Sequence, residues 1–457
     1  MRTTEFSSFR DPSGVVFKQN GVLYRQVNRC YQKQFDMLIS SGLYVKLVDK
    51  NLLISHDDLV ADDLPPDVAC IIRPVRVPFI SYPYEWSFGQ LKDAALTTLK
   101  IQRCAIDYSM ILKDASAYNI QFVGGAAMLI DTLSFDFYEE GRPWIAYGQF
   151  CRHFMAPLLL MAYTDIRLSQ LLRIYIDGLP LDLASKLLKG KGGLTAKQHI
   201  HWHARLSNKH AEDGKNTNKL KTYSIKKFSY IAMIDSMIRA VEKLELKGVQ
   251  TEWGEYYEHS NYSDEASKSK AQIVSEYIEK ANPGIVWDFG ANDGRYSKIA
   301  SKSGAGVVAF DIDPIAVERN YQAVKCSGAN ILPLILDLTN PSPAIGFANK
   351  ERPSIFDRQK ADCIMALALI HHLAISNNLP LEKIADWFSD ICEFLIIEFV
   401  PKDDSQVKTL LATREDIFSK YTKEGFEKAF AEYFTLVYSR PVAESFRTIY
   451  LYKSHRQ

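Results

Sequence analysis

Apolar and polar positions change rhythm several times along this chain. Residues 15–24 read as a β-hairpin, because apolar residues flank Asn20-Gly21, a pair that takes φ > 0 at both central positions as a tight turn requires. A helix is predicted over 29–40, and the remainder of 1–80 reads as a loop-rich tail. Residues 86–230 read mainly as helix, with a second hairpin over 119–131 that turns at Gly124-Gly125. From about 271 the text changes: short aliphatic or β-branched runs at 284–289, 306–310, 331–336, 361–367 and 394–399 alternate with longer amphipathic stretches. That alternation predicts an α/β fold with a mostly parallel, doubly wound sheet. No solenoid-type repeat is visible.

Composition narrows the class. The chain has 457 residues, and domains run to about 100–200 residues, so two to four are expected. With 55 Lys+Arg against 54 Asp+Glu the formal charge is +1, which argues against a globally basic nucleic-acid coat or an acidic disordered tail. Apolar residues at 47% and charged ones at 24% exclude collagen-like, low-complexity and wholly disordered classes. The longest apolar stretches, 155–163 and 364–370, fall short of the roughly 20 residues that span a bilayer. No apolar run follows Met1, so neither a membrane span nor a secretory signal is expected. The seven cysteines are scattered, odd in number and free of C-x-x-C pairs. They read as reduced core thiols of a cytoplasmic protein, with no zinc knuckle.

One tract departs from that balance. Residues 186–227 hold eleven Lys/Arg against two acids and four of the ten histidines, interrupted by Gly190, Gly192, Gly193 and Gly214. It reads as a mobile, solvated segment; a grip on nucleic-acid phosphates is the alternative. His199 and His203 share a helical face but lack the H-E-x-x-H glutamate, so a metal is not expected there. Residues 250–270, rich in Trp253, Tyr256, Tyr257 and Tyr262, read as the junction into the last domain.

The sharpest motif lies in that domain. An apolar strand ends in Asp288-Phe289-Gly290-Ala291-Asn292-Asp293-Gly294, and a helix is predicted to start near Tyr296. A turn this tight brings backbone against a ligand only where side chains are absent, hence Gly290 and Gly294. The next strand ends in Asp311, about 20 residues on, where a ribose diol would find two acceptor oxygens. Ile312 follows and can cover one face of a base, and Asp313-Pro314 starts a helix with proline at its first position. The third strand leads to Asp337-Leu338, with Asp337 placed to accept from an exocyclic amine. A nicotinamide-binding domain shares this order, but Asn292 stands where its middle glycine would be. A relic domain without cofactor, or the acids acting singly as helix caps, are the blander readings.

The set Asp288-x-Gly290-x-x-x-Gly294, Asp311 and Asp337 resembles the class I S-adenosylmethionine-dependent methyltransferases over about 251–455. The resemblance implies a Rossmann-like seven-stranded sheet closed by a reversed hairpin at 434–439 and 447–452. It also implies that the Gly290 turn approaches the methionine moiety, Asp311 the ribose and Asp337 the adenine. The fourth strand leads into His371-His372-Leu373, as is common among small-molecule members of this class. The whole chain also resembles a bacterial group related to the nodulation protein NoeA. In such chemistry the methyl is already activated, so the protein chiefly aligns a nucleophile and excludes water. A base is needed only for a protonated nucleophile; His371 and His372, then Glu398, are the candidates. The Asp/Asn-Pro-Pro-Tyr motif and a Pro-Cys nucleophile are absent, which disfavours DNA base methylation.

A second constellation lies upstream. Asp114 and Asn119 are five apart, and Asp131 follows a hairpin twelve residues later. Phosphoryl transfer needs an acceptor for the substrate hydroxyl proton, a role Asp114 matches, and two oxygen ligands for Mg2+, which Asn119 and Asp131 match. This spacing resembles the protein kinase and aminoglycoside phosphotransferase superfamily over about 10–235, with ATP and Mg2+ as implied cofactors. Leu112-Lys113 replaces the usual His-Arg, Thr132-Leu133 replaces Phe-Gly, and no lysine sits convincingly on the third strand; Lys18 and Arg25 are the nearby cations. An ordinary loop capped by Asp114, with Asp131 ending a strand, is the plain alternative.

The expected organisation is a small lobe at 1–80, a mainly helical kinase-like lobe at 81–250 carrying the basic insert, and a methyltransferase domain at 251–457. The expected activity is methyl transfer to a small-molecule or glycan-type acceptor chosen by the N-terminal half. A bifunctional kinase–methyltransferase and an RNA-directed methyltransferase using the basic insert are the alternatives.

Overall fold

The computed structural model describes residues 2–59, 64–189, 199–200, 225–246, 248, 263–412 and 414–456. Most of the basic tract, including His201, His203 and His210, and the aromatic junction from Trp253 to Tyr262 lie outside them. The chain divides into two units: Met1–Val249 with Ala344–Pro353, and Gln250–Pro343 with Ser354–Gln457.

The first unit begins with an antiparallel sheet of five strands, β1 (Arg2–Thr4), β2 (Gly14–Gln19), β3 (Val22–Asn28), β4 (His56–Leu59) and β5 (Val68–Pro74), in the order β1-β2-β3-β5-β4. The β2–β3 turn has Asn20 at φ 52° and Gly21 at φ 78°, the left-handed pair that matches strand twist. The tail of 1–80 is therefore not loop: β5 is a short apolar run whose pairing partners come from elsewhere in the chain, so local pattern did not reveal it. Helix Gln32–Ser40 contributes Phe35 to a core with Val27, Tyr31, Ile72 and Leu133.

Helix Phe88–Asp107 follows, started by a reciprocal cap. Ser87 Oγ accepts from the Gln90 amide, and the Gln90 side chain accepts from the Ser87 amide at 2.9 Å. Two small antiparallel pairs come next: β6 (Met110–Leu112) with β9 (Phe135–Phe137), and β7 (Ile120–Val123) with β8 (Ala126–Leu129). The second is the hairpin turning at Gly124 and Gly125; the first escapes a periodicity reading because three residues carry no period. The excursion Ala344–Pro353 belongs to this unit. Buried Glu351 accepts from Arg10 Nε at 2.6 Å and Nη2 at 2.9 Å, Phe347 stacks on Phe6, and Arg352 covers the Tyr118 ring.

The second unit holds a seven-stranded sheet of β10 (Ile285–Phe289), β11 (Gly306–Asp311), β12 (Ile331–Ile335), β13 (Ala361–Ala366), β14 (Cys392–Phe399), β15 (Phe434–Pro441) and β16 (Thr448–Ser454). Its order is β12-β11-β10-β13-β14-β16-β15. The first five are parallel to their neighbours; β16 runs antiparallel to β14 and β15. The order reverses at β10, which lies between β11 and β13, and ligands of such sheets sit outside the carboxyl ends of the strands at that switch point.

Side-chain parity decides what faces the site. Val286 on β10, Val307 and Ala309 on β11, and Ile396 on β14 pack in one core with Ile273, Val274 and Tyr277 of helix Asp264–Ala281. Successive strand side chains alternate faces. Asp288, Asp311 and Glu398 therefore share the face covered by that helix, two residues on from an apolar core position. The opposite parity sends Trp287, Phe289 and Phe310 into an aromatic cluster with Phe356, Trp387 and Phe388. Of the cysteines, Cys151, Cys363 and Cys392 are buried, Cys70 and Cys104 are half-buried, and Cys30 and Cys326 are exposed, so the expectation of core thiols holds for part of the set. Among the described residues no helix is long and apolar enough to cross a membrane.

Candidate functional site

At the carboxyl edge of β10, β11 and β13 the second unit contains a cavity of about 350 Å³. Asp288, Gly290, Asn292, Asp311, Ile312, Asp337 and Leu338 line it, so seven of the eight cofactor residues nominated from sequence meet in one hollow. The eighth, Gly294, does not. It caps helix Arg295–Lys302 at φ 78°, and a Cβ there would stand 2.5 Å from Asn320 Oδ1. Its glycine serves a close helix-to-helix approach instead.

The turn after β10 is held from the neighbouring strand. The amides of Gly290 and Ala291 both donate to the Phe310 carbonyl, at 2.9 and 3.0 Å. Gly290 has φ 73° and Asn292 φ 49°. Asp311 then closes the cradle: Oδ2 accepts the Asn292 amide at 2.8 Å and Oδ1 the Asp313 amide at 2.9 Å. Each carboxylate oxygen keeps lone-pair capacity for a ligand donor. Burial pushes the Asp311 pKa up to about 6 against those two amides. Asp288 is pushed up to about 7, first by burial; the Ser297 hydroxyl, which donates to it at 2.6 Å, works in the opposite direction. Asp337 is less enclosed and takes the Thr339 amide at 2.8 Å and hydroxyl at 2.7 Å. Ile312, 57% exposed, offers an apolar flank at the mouth.

These residues fit a sulfonium nucleoside. Gly290 sits at φ 73°, a conformation that disfavours side chains, and a Cβ there would come 3.3 Å from Leu369 Cδ1 and crowd the cradle. The lining carries both carboxylate acceptors and apolar side chains, as a ribose and a base require.

The three candidate bases separate. His372 lines the cavity, with its pKa lowered to about 4, first by burial and then by Arg447. His371 is buried, lies outside the lining, and has Nδ1 without a hydrogen-bond partner. The two histidines lie on a helical turn beyond β13, where successive side chains point in different directions around the axis, and only His372 is turned to the hollow. Glu398 is fully buried, also outside the lining, and receives Lys270 Nζ at 2.6 Å. Arg447 stands 3.9 Å from it and binds Asp404 through Nε at 2.7 Å. A carboxylate held in an ion network is not poised to collect a substrate proton.

Sequence reading missed Lys270, Tyr296, Ser376 and Leu410, all of which line the cavity. Lys270 left one trace: it interrupts the buried stripe Ala266, Ile273, Val274, Tyr277 of its helix.

In the first unit Asp114, Asn119 and Asp131 also come together. Asp114 accepts from Gln149 Nε2 at 2.7 Å and from the Ser116 amide at 2.9 Å. Its pKa is raised by burial and then by Asp131, while Asn119 among others hydrogen-bonds it. Asp131 accepts the Ser134 hydroxyl at 2.5 Å, and Asn119 Nδ2 donates to the same Ser134 at 3.3 Å. Arg25, on β3, reaches Asp131 Oδ1 at 2.7 Å. The residues nominated for Mg2+ therefore do not fit it as they stand, because a guanidinium already neutralises Asp131. Among the described residues no group of three His, Cys, Asp or Glu could hold a metal ion.

No protein-family model matches the chain. It is 34% identical over 454 residues to nodulation protein NoeA of Rhizobium meliloti (strain 1021), an alignment covering 98% of this chain and 95% of that protein. Among solved structures, the N-methyltransferase NodS from Bradyrhizobium japonicum WM9 in complex with S-adenosyl-L-homocysteine is 10% identical. It covers 45% of this chain and 100% of its own, with a TM-score of 0.32. Magnesium protoporphyrin IX methyltransferase from Synechocystis PCC 6803 with bound SAH is 17% identical, covering 44% of this chain and 92% of its own, with a TM-score of 0.32.

Proposed function

This chain belongs to the family of the nodulation protein NoeA, and from that premise we propose that its C-terminal unit is an S-adenosylmethionine-dependent methyltransferase. Its acceptor is a small molecule or glycan-type group, which the N-terminal unit selects. One observation carries the reading: Asp288, Gly290, Asn292, Asp311, Ile312, Asp337 and Leu338 converge on a single cavity at the switch point of the sheet. When bound there, S-adenosylmethionine supplies a methyl group already activated on sulfur.

The chain's own residues then have three tasks. Asp311, anchored by two backbone amides, presents carboxylate oxygens to a vicinal diol, and Asp337 accepts from an amine. Leu338, Leu367, Leu369, Leu373 and Leu410 on the cavity wall exclude water, which would compete for the methyl. His372 is neutral at pH 7, since its pKa lies near 4, so its imidazole can take a proton from an acceptor hydroxyl or amine. Calorimetry tests the reading. S-adenosylmethionine should give saturable heat with the full chain, and no heat from cofactor or from S-adenosylhomocysteine would end it.

A second activity, phosphoryl transfer by the N-terminal unit, is favoured by one observation: Asp114, Asn119 and Asp131 converge, with Arg25 of the third strand on Asp131. Asp114 would accept the hydroxyl proton. Titration with ATP, with and without Mg2+, tests it; heat only from S-adenosylmethionine would leave the N-terminal unit a selector.

A further inference from the structure

The cluster of Asp114, Asn119 and Asp131 in the first unit is connected by hydrogen bonds in a way that leaves little for a metal. Mg2+ takes about six oxygen atoms at roughly 2.0–2.1 Å, with lone pairs turned towards it. Asp131 spends most of its acceptor capacity inside the protein. Its Oδ1 accepts Arg25 Nη2 at 2.7 Å and the Leu133 amide at 3.2 Å, and its Oδ2 accepts the Ser134 hydroxyl at 2.5 Å. Asn119 presents its donor end: Nδ2 donates to Ser134 Oγ at 3.3 Å, and the same side chain hydrogen-bonds Asp114. An ionised carboxylate only accepts, so flipping that amide would set oxygen against oxygen.

Arg25 is placed by the sheet. It lies on β3 between Val16 of β2 and Ile72 of β5, so strands on both sides fix its position, and its side chain is 14% exposed. Nη2 also stands 3.9 Å from Asp11 Oδ2, while Lys113 Nζ stands 3.8 Å from Asp11 Oδ1 and donates to Ser13 Oγ at 2.8 Å. Arg25 and Lys113 thus set two positive charges among Asp11, Asp114 and Asp131. A guanidinium stays protonated in proteins, so its charge is permanent, whereas a metal ion comes and goes with its concentration. A dication on Asp131 would meet that charge at close range in a largely enclosed site, where screening is weak. We infer that Arg25 is a built-in substitute for a divalent cation. It neutralises Asp131 and ties β3 to the loop after β8, and the N-terminal unit works with no metal on Asp131. This goes beyond the selector role: the group selected is not held as a metal-chelated polyphosphate, and phosphoryl transfer there would have to run without a metal on that carboxylate.

The test titrates the full-length protein with Mn2+, which favours oxygen ligands as Mg2+ does and is counted by the electron paramagnetic resonance of the free ion. Wild type and Asp131→Asn should titrate alike. Arg25→Met vacates the place and should bind Mn2+ at least about tenfold more tightly than wild type, a gain that the double variant Arg25→Met/Asp131→Asn loses. A Mn2+ site in the wild type that disappears in Asp131→Asn overturns the inference, and so does a folded Arg25→Met protein that gains no site. The comparison of wild type with Asp131→Asn does not need a folded Arg25→Met, so failure of that variant leaves the inference open to refutation. Calorimetric heat from ATP that appears only with Mg2+ and vanishes in Asp131→Asn overturns it as well. None of these outcomes touches S-adenosylmethionine binding, so the methyltransferase reading stands or falls separately.

Discussion

Replacing Asp311 by asparagine separates what this carboxylate does for the fold from what it does for a ligand. Its two oxygens accept the Asn292 and Asp313 amides at 2.8 and 2.9 Å. Asp311→Ala would leave both amides unsatisfied, at about 1–3 kcal/mol each, so lost binding in that variant could reflect a damaged turn. Asparagine keeps one acceptor and strands one amide, at about 1–3 kcal/mol. It also removes a charge that the fold holds reluctantly. The pKa is raised from 3.8 to about 6, so the folded protein binds more protons than the unfolded chain between those values. Stability on this account falls as pH rises through that window, and above about pH 6 the whole penalty, on the order of 3 kcal/mol, is present. The two effects offset, and at pH 8 the cofactor-free variant should unfold within about 2 kcal/mol of wild type in a urea titration.

Ligand affinity should respond differently. Hydrogen bonds from a diol to an ionised carboxylate contribute about 1.5–3 kcal/mol each. Two of them correspond to roughly 10²- to 10⁴-fold in Kd; the neutral amide retains part, so about a 100-fold loss of S-adenosylmethionine affinity is expected at pH 8. In the wild type, affinity should be full at pH 8 and weaken by about tenfold per unit below pH 6 as Asp311 protonates. The assay is calorimetric titration at both pH values. An asparagine variant with normal stability and a Kd within about threefold of wild type would refute the role given to Asp311.

Three further outcomes follow from the same geometry. Gly294→Ala puts a Cβ at φ 78° and 2.5 Å from Asn320 Oδ1, so it should destabilise by about 2 kcal/mol or more in a urea titration. His372→Ala should lower kcat and leave the cofactor Kd unchanged; because the wild-type imidazole titrates near pH 4, kcat should show no His372-dependent acid limb above pH 5.5, and an acid limb near 6.5 that disappears in the variant would contradict its buried, neutral state. Asp114→Ala should leave methyl transfer to a small acceptor and cofactor affinity untouched if the N-terminal unit selects substrate, as read by rate assays at saturating cofactor.

The sequence by itself determined the positions of the strand ends in the second unit and the acids that stand there. Asp288, Asp311 and Asp337 each stand at the end of a short buried run, and such runs alternating with amphipathic helices read as strands of a parallel sheet covered on both faces. It determined the turns at Asn20-Gly21 and Gly124-Gly125, because positive φ is a local demand. Tertiary structure alone decided which of two adjacent histidines faces the hollow, since that is a matter of one residue's rotation about the chain. It decided that Gly294 meets Asn320, a residue 26 positions away, rather than a ligand. It joined β4 and β5 to a sheet whose other strands precede them, and it seated Ala344–Pro353 in the first unit through Glu351 and Arg10. It brought Lys270 to the cavity and Arg25 to Asp131. Such pairings form between residues far apart in the chain, and a local pattern holds no record of them.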